Sequence, residues 1–141
     1  MEPTMTNKNK GALFIPYRRS AGGYEYYLQK RDMNPKANPG AFSLFGGSFE
    51  NDEDMNAALS REVMEELTYE PRRPVYFTHF ETPKSLFDIF IEEVGADFET
   101  LVDVREGEYG KFLKLSDIKN SPTASLLAQY IVDHLERKLN E

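Results

Sequence analysis

Between two groups of β-prone segments, the chain from Asp54 to Leu67 turns helical: Met55, Leu59, Val63 and Leu67 recur at successive i+4 spacings. Such a helix has one apolar stripe to bury. Asn51 or Asp52 is placed to cap its start, and the early acids suit the positive end of its dipole. Before the helix, Ala12–Tyr17 and Tyr24–Arg31 read as strands, and Ser20-Ala21-Gly22-Gly23 between them predicts a hairpin. A loop over Asn34–Gly40 leads to a short apolar run, Ala41–Phe45, that stops at Gly46-Gly47. After the helix, Val75–Phe80 and Leu86–Val94 flank a turn at Pro83-Lys84-Ser85, and Gly110–Leu115 gives a last strand. Ser121-Pro122 then opens a helix running to about Leu139, with proline where its missing donor costs little. This order predicts a mixed α/β fold, a mixed sheet covered by helices.

A chain of 141 residues, 40% hydrophobic, suits one domain over residues 11–141, with the polar stretch 1–10 (MEPTMTNKNK) as a mobile tail. The absence of cysteine excludes a disulfide framework, a thiolate metal site and a cysteine nucleophile. It also suits a reducing cytoplasm. No apolar stretch approaches the roughly 20 residues that span a bilayer. The N-terminus has no signal-peptide hydrophobic region, so a soluble cytoplasmic protein is expected.

The formal charge is -7, and its location matters more than its size. Between Glu50 and Glu70 eight acids face the single base Arg61, whereas elsewhere sixteen acids balance sixteen bases. Without a basic block the chain is not expected to grip nucleic acid or an anionic membrane. Within the acidic stretch, Glu62, Glu65 and Glu66 sit at i, i+3 and i+4 and share one arc beside the apolar stripe. Like charges so placed repel and raise one another's pKa. A hard divalent cation such as Mg²⁺ turns that repulsion into coordination and commonly bridges a substrate phosphate. The same spacing also fits a solvated acidic face.

The wider spacing separates the two. Gly47 is followed after five residues by Glu53, and after seven more by Arg61-Glu62-Val63-Met64-Glu65-Glu66-Leu67-Thr68-Tyr69. This resembles the Nudix box, G-x5-E-x7-R-E-U-x-E-E-x-G-U with U apolar, at every defined position except Thr68, which replaces the second glycine. That glycine would end the helix at positive φ, which a β-branched residue adopts poorly, so a locally altered helix exit is expected.

The resemblance to the Nudix hydrolases implies an α/β/α sandwich and Mg²⁺- or Mn²⁺-dependent cleavage of a nucleoside diphosphate linked to some moiety. It implies Glu62, Glu65 and Glu66 as metal ligands with the Gly46 carbonyl, and Arg61 paired with Glu53 to hold the loop behind Gly47 against the helix. Glu106-Gly107-Glu108-Tyr109-Gly110 looks like the E-G-x-x-G segment of MutT-type members. Glu106 is thereby the fourth site carboxylate, with Glu108 as the fallback. Arg31 stands where many members place a phosphate-facing arginine. Asn120-Ser121-Pro122 looks like the N-x-P whose asparagine reads a purine edge, though the same residues make an ordinary helix start. Phe45, Phe77, Phe80, Phe87 and Phe90 include candidate base-stacking rings alongside core. His79 and His134 lack a partner at metal spacing, and neither G-x-S-x-G nor a Walker motif occurs.

A nucleoside triphosphate is the expected substrate. A nucleotide sugar, ADP-ribose or dinucleoside polyphosphate, or a sensor that binds without turnover, stands as the alternative. The expected partner is a small nucleotide, bound by a monomer or homodimer.

Overall fold

The computed structural model describes residues 8–31, 40–50, 52–121 and 123–141. Its strands are β1 (Asn9–Ser20), β2 (Gly23–Lys30), β3 (Phe42–Ser43), β4 (Phe45–Ser48), β5 (Val75–Glu81), β6 (Ser85–Glu93) and β7 (Tyr109–Leu113). The helices are α1 (Met55–Leu67), α2 (Phe98–Leu101), α3 (Leu115–Lys119) and α4 (Leu126–Leu139).

The seven strands form one mixed sheet in the order β3-β2-β1-β6-β5, with β4 added to β1 and β7 to β2. β1 is its axis. It runs parallel to β6 from Asn9 to Tyr17, so the first strand takes in Asn9 and Lys10 of the expected tail. Residues 11–17 are buried on both faces, as expected of a central strand with a continuous apolar run.

The β1–β2 hairpin is paired only near its turn, from Tyr17–Tyr26 to Ser20–Gly23. Beyond that the strands diverge. β4 pairs with β1 from Gly11 to Phe14, while β3 pairs with β2 at Gln29 and Lys30. The chain from Phe42 to Ser48 therefore fills a fork between the two strands. Here the structure corrects the expected strand end, because β4 continues through Gly46 and Gly47 instead of stopping at them.

Alternate side chains build two cores. Leu13, Ile15, Leu28, Ile89 and Leu113 pack against Ile118, Ile131 and Leu135 of α3 and α4. Ala12, Phe14, Tyr27, Phe90 and Phe112 pack against Leu59, Val63 and Leu67 of α1 and Phe98 of α2. The result is the α/β/α sandwich.

α1 is capped by Asp54, whose side chain accepts from the Ala57 N–H at 2.8 Å, and not by Asp52; Asn51 lies outside the described residues. Thr68 closes the helix in the left-handed region at φ 53°, ψ 46°. The glycine-type exit is thus kept, at a strain of about 1–2 kcal/mol for a residue with a Cβ. The last helix also differs from expectation. Asn120 closes α3, and α4 begins later, with the Ser125 side chain accepting from the Ala128 N–H. Loop residues 34–39 and Pro122 lie outside the described residues, as do residues 1–7 of the expected tail.

Candidate active site

The site grows out of the two glycines in β4. Gly46 lies at φ 126°, and a Cβ there would sit 2.1 Å from the Ala12 carbonyl oxygen. Only glycine lets β4 approach β1 in that shape. A Cβ on Gly47 would instead meet the Glu62 carboxyl group at 2.8 Å, so the missing side chain makes room for a glutamate. The Gly46 N–H donates to Glu66 Oε1 at 2.9 Å.

These contacts put Glu66 under the sheet edge with 3% of its surface exposed. Its carboxyl group is hydrogen-bonded to that of Glu62. Burial above all pushes Glu66 up, and the charges of Glu106 and Glu62 add to it against the Gly46 N–H bond, so that its pKa reaches about 9. A carboxyl group buried this way holds its proton or takes a cation in its place.

Arg61 organises the acids from the other side. Its Nε and Nη2 make a bidentate pair with Glu53 at 2.6 and 2.9 Å, and Nη2 also donates to the Ser48 carbonyl at 3.0 Å. Nη1 reaches Glu62 at 3.1 Å, Glu65 at 3.3 Å and Glu50 at 3.3 Å. Glu53 in turn accepts from the Glu50 N–H at 2.7 Å, and Arg61 holds its carboxyl group below the usual range. The guanidinium therefore ties the loop after β4 to α1 and touches two of the three box glutamates. Glu50 is a partner the motif did not single out.

Glu65 stands apart, with its side chain 56% exposed and turned to Arg61. Among the described residues no three acids close on one point as a ready-made cage. Glu106 comes from another direction. Arg105 N–H donates to the Glu66 carbonyl at 2.7 Å, and Glu108 N–H to the Lys30 carbonyl at 2.8 Å, so the loop between them carries Glu106 past the end of α1. Gly107 makes this possible at φ 79°, since a Cβ there would lie 2.5 Å from the Lys30 oxygen. The side chain of Glu106 is exposed, but its charge acts on Glu66. Glu108 is held by its backbone and is exposed.

Arg31 follows β2, its N–H donating to the Ala41 carbonyl at 2.9 Å. Asn120 is exposed at the end of α3, and not at the start of the last helix. Of the candidate stacking rings, Phe45 and Phe90 are buried, and Phe77, Phe80 and Phe87 pack on the α4-side core. The exposed aromatic beside the site is Tyr109, 6.3 Å from Phe42, whose ring also faces Lys30 Nζ. Its place next to Gly110 in the E-G-x-x-G segment was the available signal.

For a metal the fit is chemical. Glu62 and Glu66, flanked by Glu65 and Glu106, are an all-oxygen donor set of the kind that suits Mg²⁺ or Mn²⁺. A buried carboxyl with a raised pKa beside a second carboxyl is what such an ion relieves.

A family model described as the NUDIX domain matches residues 8–133. No protein of curated function matches the chain. Among solved structures, the MutT protein from Methanosarcina mazei Go1 is 22% identical with a TM-score of 0.66, covering 95% of this chain and 98% of that one. The NUDIX domain of Shewanella oneidensis NrtR, complexed with ADP ribose, is 16% identical with a TM-score of 0.72, covering 92% and 88%. A C. elegans Ap4A hydrolase is 20% identical with a TM-score of 0.66, covering 94% and 98%. At these identities the structures share the fold, while the domain match carries the family. The chain belongs to the NUDIX domain family.

Proposed function

We propose that this protein hydrolyses the diphosphate linkage of a nucleoside diphosphate derivative, with a nucleoside triphosphate as the favoured substrate and Mg²⁺ or Mn²⁺ as cofactor. The observation that carries this is the Glu62–Glu66 pair, Glu66 buried and Glu62 half-buried, set against Gly46 and Gly47. Glu62, Glu65, Glu66 and Glu106, with the Gly46 carbonyl, would hold the metal. When bound, it neutralises charge developing on the bridging oxygens and lowers the pKa of the attacking water.

The protein does the rest. Arg61, locked by Glu53 and the Ser48 carbonyl, keeps Glu62 and Glu65 in one arrangement as the polyphosphate arrives. A site carboxylate takes the proton of the attacking water. The new P–O bond forms as the bridging P–O bond breaks, leaving a nucleoside monophosphate and the phosphate-bearing remainder. Arg31 at the end of β2 binds phosphate oxygens with its forked guanidinium. Tyr109 supplies an exposed ring for the base, and Asn120 is the candidate reader of the base edge. The E-G-x-x-G segment favours triphosphates.

The likeness to a domain complexed with ADP ribose and to an Ap4A hydrolase supports a second reading, in which the substrate is ADP-ribose, a nucleotide sugar or a dinucleoside polyphosphate. A product assay with Mg²⁺ and with Mn²⁺ over all four classes tests both readings, with monophosphate release from triphosphates expected to be fastest. Metal-independent binding without turnover of any compound would instead make the domain a nucleotide sensor.

A further inference from the structure

The loop that carries Glu106 is pinned on both sides. On the side of α1, the Asp103 N–H donates to the Leu67 carbonyl at 2.9 Å and the Arg105 N–H to the Glu66 carbonyl at 2.7 Å. On the side of β2, the Glu108 N–H donates to the Lys30 carbonyl at 2.8 Å, where Gly107 makes its close approach. The first two bonds use carbonyls at the helix end that have no partner within the helix, so the loop serves as part of the cap of α1.

Thr68 sits where these contacts meet. It is the one non-glycine residue at positive φ among the described residues, in the position where the box has glycine. A glycine there would carry the same backbone shape without strain. What threonine adds is a hydroxyl, which donates to the Asp103 carbonyl at 3.4 Å. Asp103 is thereby held through both its N–H and its carbonyl, three residues ahead of Glu106.

We infer that Thr68 is a positioning residue, whose hydroxyl completes the clamp that holds the Glu106 loop against the end of α1. The inference rests on the proposed role of Glu106 as a site carboxylate. It also gives a reason for the departure from the box: the strained residue ties the two carboxylate-bearing segments together, which glycine cannot do.

Three substitutions separate positioning from mere helix termination. Thr68→Ser keeps the hydroxyl, Thr68→Gly removes it together with the strain, and Thr68→Val removes it while keeping the strain. The readouts are kcat and KM for a nucleoside triphosphate, Mn²⁺ affinity by calorimetry, and the Tm of the metal-free protein. Thr68→Gly and Thr68→Val are expected to lose kcat and Mn²⁺ affinity alike, by about 2- to 10-fold, with KM unchanged. Their Tm values are expected to move in opposite directions, up for glycine and down for valine, by about 2–4 °C. Thr68→Ser should restore kcat and Mn²⁺ affinity. If both quantities instead follow Tm, with Thr68→Gly at or above the wild type, the hydroxyl has no positioning role and the inference is overturned. Glu106→Gln tells this failure from that of the underlying reading. Unchanged kcat and Mn²⁺ affinity in Glu106→Gln remove Glu106 from the site and the clamp with it. A loss in Glu106→Gln beside wild-type behaviour in Thr68→Gly overturns only the role of Thr68.

Discussion

Two glutamates lie equally deep in this molecule, Glu66 with 3% and Glu92 with 2% of its surface exposed, and they are treated in opposite ways. Glu92, in β6, accepts the Tyr69 hydroxyl and the backbone N–H groups of Arg72 and Arg73, the latter two at 2.9 Å. Burial above all, and then the bond to Glu92, pushes the Tyr69 hydroxyl well above its ordinary pKa, so it remains a donor. Glu92 thus anchors the chain leaving α1 to the sheet. Glu66 receives one backbone N–H and faces other carboxylates. Three neutral donors make a buried carboxylate structural, whereas one donor and two neighbouring carboxyl groups leave it short of compensation, as the proposed metal role requires. Burial by itself does not tell the two apart, but the donor count does.

The sharpest way to break this contrast is Glu66→Gln. It should lower kcat/KM by on the order of a thousandfold while leaving the fold intact. The sign of its pH effect follows from the shift. The folded-state pKa of about 9 lies above the ordinary 4.5, so the native state holds the proton more tightly. Metal-free stability should therefore fall as pH rises from 4.5 towards 9, and this slope should flatten in Glu66→Gln. Added Mn²⁺ should oppose the fall in the wild type and not in the variant. Thermal melts across that range with and without metal measure both effects, and identical wild-type and variant slopes would count against the assignment.

Glu92→Ala should do the reverse. It strands the buried Tyr69 hydroxyl and two part-buried N–H groups, so urea unfolding should show a loss of about 3 kcal/mol, with kcat per folded molecule nearly unchanged. The smallest effect is expected from Gly47→Ala. The added Cβ meets the end of the Glu62 side chain and not the backbone, so Tm should hold while Mn²⁺ affinity falls by about tenfold. Gly46→Ala is the control, because its Cβ runs into the Ala12 backbone and should cost stability first.

Much of this contrast was legible from one side only. The spacing of Glu62, Glu65 and Glu66 brings out the glutamate helix, because a helix turn sets i, i+3 and i+4 together, and the resemblance to the Nudix box implies the Glu53–Arg61 pair. Glu92 was not singled out. Yet it shares a face with Asp88 and Phe90 by simple alternation along β6, so an acid at an inward position was the available signal. The last helix starts later than its sequence chemistry implies, for a related reason. Asn120-Ser121-Pro122 has the chemistry of a helix start, but Ser125 has it too, and the Phe42–Ala124 bridge with the Phe42 backbone bonds to Thr123 and Ser125 holds residues 123–125 beside β3.

What the amino-acid order determined by itself was therefore whatever depends on neighbours within a few turns: the helix and its acidic arc, the strand runs, the hairpin turn and the family to which they belong. Tertiary structure decided how differently those acids are held. It divided the three box glutamates, placing Glu66 beneath Gly46, Glu62 against the bare Cα of Gly47 and Glu65 toward solvent and Arg61. It also brought Glu106 to them from 40 residues along the chain past Glu66. The reason is physical. Helical spacing fixes which side chains share a face, but a carboxylate's protonation and its need for a cation depend on water and donors, and those are removed or supplied only when distant strands close over it.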